Sequence, residues 1–213
     1  MSKDAVVNQY EFFKTPIHTY SNTEIVSELK DYIYSIKVNG ISSGVAPMVK
    51  TNIDEGRFDF LNADIPIINK TRAWFTQCVG QTLNYVQREQ ADYTMEYQSW
   101  YHVSKTNSVH ENHIHIGCSW CGVFIVDAGD PDNGGQTVYE SPFNCVYVDR
   151  GTRWIDEQAK HRVPPETGLL TVFPSYLSHY QQLYTGQKDR VMVGFNTIVH
   201  NAIPNTPEVK NDG

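Results

Sequence analysis

Two histidines separated by one residue, in the run Glu111-Asn112-His113-Ile114-His115, constrain this chain more than any other feature. A strand-like run follows, Ser119-Trp120-Cys121-Gly122-Val123-Phe124-Ile125-Val126. In a strand, residues i and i+2 point to the same face, so both imidazoles can reach one metal ion from one backbone segment. A third histidine, His179, comes 64 residues after His115, just past another strand-like run, and Arg190 comes eleven residues later.

The rest of the chain gives this pattern a frame. At 213 residues it has length enough for one domain with a full core, read here as 1–213. Residues 1–92 read as an N-terminal arm and helices, 93–200 as a β core and 201–213 as a loose polar tail. Ser21-Asn22-Thr23-Glu24 has the form of a capping box, with Ile25, Leu29, Ile33 and Ile36 behind it at helical spacing and Asn39-Gly40 as the stop. A second helix is expected from Asp64 to about Gln90, with Pro66 in its first turn and Ile68, Trp74, Cys78, Val79, Leu83 and Val86 as its apolar stripe. Gly40–Asn62 and Asn144–Pro165 read as loops.

From Tyr93 the composition turns aromatic and β-branched. Strands are expected over Tyr93–Val103, through the histidine segment, and at Gln136–Tyr139, Cys145–Val148, Gly168–Phe173 and Arg190–Val199. Helices in the first half and strands in the second predict an α+β chain whose β part closes as a sandwich or barrel.

Charge and targeting signals narrow the function classes. A net charge of −7 argues against a general nucleic-acid binder, which needs a basic surface. No apolar run approaches bilayer length, and Met1-Ser2-Lys3-Asp4 lacks the start of a signal peptide. A cytoplasmic protein is expected, with Cys78, Cys118, Cys121 and Cys145 reduced. The spacing Cys118-x-x-Cys121 is read as two small buried thiols in a strand, since no second pair exists to complete a zinc site. The N-terminal arm is compatible with a homodimer.

Neutral imidazole suits Fe(II), Zn(II), Cu(II) and Ni(II). Three protein ligands on one face of an iron leave the other face open, usually as two histidines and one carboxylate. Here the residue two places after His113 is His115, and a three-histidine site would leave the metal more positive. Glu111, two residues before His113, is the competing third ligand. Arg190 opens a strand with Met192, Gly194 and Asn196 on its own face and Val191, Val193, Phe195 and Thr197 on the other. The second set reads as core, so the first can line a cavity holding a guanidinium suited to a carboxylate. The competing reading is a surface arginine paired with Asp189 or Glu140.

In order, the chain has Ser99-Trp100, His113-x-His115, Cys121-Gly122, Phe173-Pro174-Ser175, His179, Arg190 and Phe195-Asn196. Over about residues 93–198 it thereby resembles the 2-oxoglutarate- and Fe(II)-dependent oxygenases, and among them a little-characterised group in bacteria and phages. The resemblance implies a double-stranded β-helix (jelly roll) core with the N-terminal helices packed on one sheet. It implies Fe(II) held by His113 and His179, with His115 in the third place. It implies 2-oxoglutarate anchored by Arg190 and contacted by His102, and a hydroxylase of unknown substrate. The chain departs from the pattern at Met192, where a Ser or Thr often helps hold the carboxylate, at His102, where the group often has Asn, and at Ile116, where a proline is common. These departures keep two alternatives open: a three-histidine iron dioxygenase of cupin type that does not use 2-oxoglutarate, and a non-catalytic metal-binding jelly roll.

Overall fold

The computed structural model describes residues 14–40, 50–86, 93–142 and 160–201. In chain order the elements are β1 (His18–Ser21), α1 (Val26–Ile36), β2 (Lys50–Glu55), α2 (Pro66–Val86), β3 (Tyr93–His113), β4 (Trp120–Asp127), β5 (Thr137–Glu140), β6 (Lys160–Val163), β7 (Leu169–Pro174), β8 (His179–Tyr184) and β9 (Arg190–Asn201). The described strands form one curled antiparallel sheet in the order β1-β7-β4-β9-β3-β8-β5-β6, with β2 pairing along β3.

The 21-residue strand β3 belongs to both layers of this jelly roll. Its first half pairs with β9, from Tyr93↔Asn201 to Ser104↔Arg190. Its second half pairs with β8 and reaches His113↔His179. Between the halves Asn107 takes a left-handed φ of 62°. The register against β8 also shifts on both sides of His110. Such irregularities bend a strand and re-aim its side chains. Here the bend sets His113 opposite His179.

Both helices cover the outer face of the β7-β4-β9 layer. Leu29 and Ile33 from α1 and Ile68, Phe75, Val79 and Leu83 from α2 share one buried cluster with Phe124, Leu170, Val172, Val191, Val193 and Phe195. Phe75 packs on Phe124 and Phe195 with ring centroids 5.6 and 4.9 Å apart. Gly122 permits part of this packing, because a Cβ there would sit 2.2 Å from the Phe195 ring. The inward faces carry Cys121, Tyr139, Phe173 and Leu177 in one cluster and Ile125 and Met192 in another.

The α+β jelly roll with helices on one sheet agrees with the expectation; several local readings do not. The capping box is not made. Ser21 is held in β1 against Leu169, and the Glu24 N–H donates to Asn22 Oδ1 at 3.0 Å. The helix therefore starts at Val26 and stops at Ile36, which is exposed. The expected loops contain β2 and β6, two short strands whose polar sequences, KTNIDE and KHRV, lack apolar alternation. The segment His113–His115 is not one strand: β3 ends at His113. The arm at residues 1–13, the strand at Cys145–Val148 and the tail from 202 lie outside the described residues.

Candidate metal centre

Strand pairing supplies two of the three histidines, and a turn supplies the third. His113 ends β3 and His179 begins β8. His115 lies beyond the strand, where its N–H donates to the Ser175 carbonyl at 3.1 Å. Ser175 also donates its N–H to the Ser119 carbonyl (3.1 Å) and its hydroxyl to the Cys118 carbonyl (2.8 Å). The Phe173-Pro174-Ser175 run thus pins the segment that carries His115.

One ligand nitrogen from each of His113, His115 and His179 lies within 4.8 Å of the other two. Ligands about 2.1 Å from one ion that share one face lie roughly 3 Å apart, so the nitrogens draw together by up to about 1.8 Å when a metal binds. His113 Nδ1–H donates to the Glu111 carbonyl (2.7 Å), and His179 Nδ1–H donates to the Leu177 carbonyl (2.9 Å). A carbonyl can only accept, so both rings carry their proton on Nδ1 and keep the Nε2 lone pair for a metal. Burial, reinforced by the neighbouring imidazoles, depresses the pKa of His115 to about 4 and that of His179 to about 3. Burial lowers that of His113 as well. All three are neutral, ligand-ready imidazoles at pH 7. Glu111 is exposed and outside this cluster, because the register shift between His110 and His113 breaks the alternation that would have aligned it.

The histidines share a cavity with Trp100, Phe173, Gln181, Arg190 and Met192. Arg190 is 1% exposed. Its Nη1–H donates to Gln181 Oε1 at 3.0 Å, and its Nε–H has no partner among the described residues. The two carboxylates considered for it are engaged elsewhere: Asp189 accepts from the Tyr34 hydroxyl (2.9 Å) and Glu140 pairs with Lys160 (2.9 Å). Burial draws the guanidinium down to about 10, still charged at pH 7. A buried cation without a counter-charge is costly, and an anion entering this cavity would supply one. The cavity therefore fits a metal ion at one end and a carboxylate at the other.

Residues 98–196 match the family described as "Putative 2OG-Fe(II) oxygenase", a span that contains all three histidines and Arg190. That span is just under half of the chain. No curated protein matches it in sequence. Among solved structures, the chain is similar to a Pseudomonas putida prolyl-4-hydroxylase at 13% identity and a TM-score of 0.60, over 86% of this chain and 92% of that one. It is similar to a Trichoplax adhaerens prolyl hydroxylase in complex with a hypoxia inducible factor peptide fragment, at 12% identity and 0.59, over 85% and 83%. HygX from Streptomyces hygroscopicus, solved with nickel and 2-oxoglutarate bound, gives 13% and 0.54, over 86% and 82%. At these identities the likeness is one of fold.

Several residues around this site had no signal in the sequence. Gln181, two residues after His179 on β8, accepts from both Arg190 and Ser104 (3.1 Å) and donates to Ser108 Oγ (3.2 Å). Lys50 and Glu55 come from β2, read as loop. Both Lys50 Nζ and His102 Nε2–H donate to Glu55 Oε1, the latter at 2.8 Å. His102 is wholly buried and stands one layer behind the cavity wall. It packs edge-on against His110 (5.5 Å), which stacks on His113 at 4.0 Å. Trp100 lines the cavity with a buried, unpartnered Nε1–H. A Cβ at Gly194 would lie 2.7 Å from its indole, so the glycine makes room for it.

The buried histidines set a pH dependence. Burial holds His102 at about 4 despite Glu55. Unfolding would restore a value near 6.5, so the unfolded chain binds more protons between pH 6.5 and 4. Stability is full above about pH 6.5 and falls below it, by about 1.4 kcal/mol per pH unit for each such histidine, until the folded pKa is reached. Urea unfolding of metal-free protein at pH 7.5, 6 and 5 should show a falling midpoint. A flat profile would contradict the burial of neutral rings.

Proposed function

We propose that the protein is an Fe(II)- and 2-oxoglutarate-dependent hydroxylase in which His113, His115 and His179 hold the iron and Arg190 anchors the distal carboxylate of 2-oxoglutarate. The observation that carries this reading is a buried guanidinium with a free Nε–H in the same cavity as three neutral imidazoles. Iron with 2-oxoglutarate supplies the oxidising chemistry: the keto acid is decarboxylated to succinate and carbon dioxide, and oxygen is delivered to a C–H bond of the substrate.

The chain's own residues position and insulate. Arg190 presents a planar fork that a carboxylate meets with two charge-assisted hydrogen bonds. Met192 packs against Ile125 and Ala128 and offers no hydroxyl. Thr137, on the cavity wall and paired with Gln181 across β5 and β8, is the hydroxyl available in its place. Phe173 packs against His179 at 4.7 Å and keeps water from that side of the site. The cavity opens to a mouth lined by Phe58, Gln98, Trp100, Ile114, Ile116 and Asn196, where the substrate would enter. His102 acts on the site through His110 rather than by touching the cosubstrate.

No helix among the described residues is long and apolar enough to cross a membrane. A cytoplasmic location fits the three free thiols there, and the net charge of −7 fits a non-nucleic-acid substrate. The histidine in the third ligand place favours one other reading, a cupin-type dioxygenase in which Arg190 binds the substrate's own carboxylate. Incubation with Fe(II), ascorbate and 2-oxoglutarate in air separates the two. Slow, iron-dependent formation of succinate is expected, stimulated by the true substrate. Absence of succinate together with absence of 2-oxoglutarate binding would favour the cupin-type enzyme.

A further inference from the structure

The run Cys118-Ser119-Trp120-Cys121 is not used by the metal reading. In a continuous strand, residues i and i+3 point to opposite faces and their thiols could not meet. Here the backbone between them is not extended throughout: the chain bends at Ser119 before β4 begins at Trp120. Gly117 has a φ of 77°, Cys118 precedes β4 and is half-buried, and Cys121 lies within β4 at 1% exposure. The two Sγ atoms stand 3.8 Å apart. The backbone between them is fixed by the Ser175 hydroxyl on the Cys118 carbonyl and by the Ser119 N–H on the Thr197 carbonyl (2.9 Å). A disulfide requires the sulfurs to approach by only about 1.8 Å more. This corrects the reading of two buried thiols along a strand.

We propose that Cys118 and Cys121 form a peroxide-sensitive disulfide site at the edge of the iron cavity. The Cys118 thiolate attacks the O–O bond of hydrogen peroxide, giving a sulfenic acid and, after protonation of the leaving hydroxide, water. Cys121 sulfur then displaces the sulfenic hydroxyl, losing its proton as a second water leaves. Two thiols and one peroxide thus give one disulfide and two waters, with sulfur oxidised and peroxide reduced. The division of labour follows the structure. Cys118 is the sulfur that solvent reaches, and donation from Cys121 draws its pKa to about 7, whereas Cys121 is held as a thiol by its burial and its neighbour.

The bond would reach the site in two ways. Cys121 lines the cavity with the histidines, and its Sγ stands 3.4 Å from Asn196 Oδ1, the alternative acceptor for its one S–H when that is not turned to Cys118. Oxidation removes that donor and leaves the Asn196 side chain at the substrate mouth held through its Nδ2–H on Gln98 Oε1 (3.2 Å). Cys118 also closes the segment that carries His115, so the disulfide tethers that arm to β4.

The test uses the full chain with Cys145→Ser, loaded with redox-inert zinc(II), exposed to hydrogen peroxide and then alkylated. The expected product is about 2 mass units lighter before alkylation, with the bond inside the tryptic peptide spanning 106–150, and it reverts with a dithiol reductant. In Cys121→Ser the reaction should stop at a Cys118 sulfenic acid that dimedone traps. In Cys118→Ser neither product should form. The proposal is overturned if Cys118 passes to sulfinic acid with Cys121 intact, if the bond recruits Cys78 or a second chain, or if both thiols stay reduced while a free thiol of the same concentration is oxidised.

Discussion

Arg190→Met should weaken 2-oxoglutarate binding about 10²–10³-fold while leaving metal affinity unchanged. Truncating one member of a buried, hydrogen-bonded charge pair costs about 2–5 kcal/mol, and Arg190 is 1% exposed with one N–H held by Gln181 and its Nε–H free. The metal ligands come from the β3–β8 pairing and the Ser175 clamp, neither of which uses Arg190. Stability separates this account from a structural role. A buried cation without a counter-charge is a liability in the ligand-free protein, so an apolar replacement should leave the fold as stable or more stable. Arg190→Lys keeps the charge but loses the fork, and should recover only part of the affinity. Calorimetric titration of 2-oxoglutarate into nickel-loaded protein measures the first effect and thermal unfolding the second. Unchanged affinity in Arg190→Met would remove Arg190 from the site.

Removal of either strand-borne histidine should nearly abolish metal binding. His113 and His179 face each other across β3 and β8, with Nδ1 tied to a backbone carbonyl in each case. Losing an outer partner of this kind alone costs roughly 10–100-fold in affinity, so losing the ligand itself should cost more than about 100-fold. His115→Ala should cost less, since His115 sits on an arm outside the strand and a water can take its place. His115→Asp should restore tight binding by supplying the carboxylate of the more common triad. Glu111→Ala should change nothing, because Glu111 is exposed and outside the cluster. Competition against a chromophoric chelator ranks all five proteins. A large loss in Glu111→Ala with none in His115→Ala would reverse the ligand assignment.

The sequence carried the metal pattern because its spacing is a matter of chain geometry. Residues i and i+2 in extended backbone share a face, and a histidine beside a strand-like run can return to them, although here β3 ends at His113 and the contact with Ser175 is what holds His115 beside it. It carried the β9 face because Val191, Val193 and Phe195 alternate with Arg190, Met192 and Gly194. It did not carry β2 or β6. Their residues are mostly charged or polar, and they are strands only because β3 and β5 offer them edges. Lys50 and Glu55 were therefore invisible as a buried pair beside His102. Gln181 was also beyond reach, and Ser175 was legible only within the Phe173-Pro174-Ser175 motif, since each acts through contacts set by tertiary pairing. Trp100 was legible only as a motif letter; its unpartnered N–H appears once Gly194 lets the indole lie against β9. The cysteine pair shows the opposite failure: both thiols are read as strand residues, whereas the chain bends at Ser119 and only Cys121 lies in β4.

Anaerobic addition of Fe(II) and 2-oxoglutarate to metal-free protein tests the central claim most directly. A weak visible charge-transfer band, the signature of a keto acid chelated to iron, should appear only with both present. It should vanish in His113→Ala and weaken in Arg190→Met. Metal binding without that band would contradict the 2-oxoglutarate site, and absence of metal binding would contradict the three-histidine centre itself.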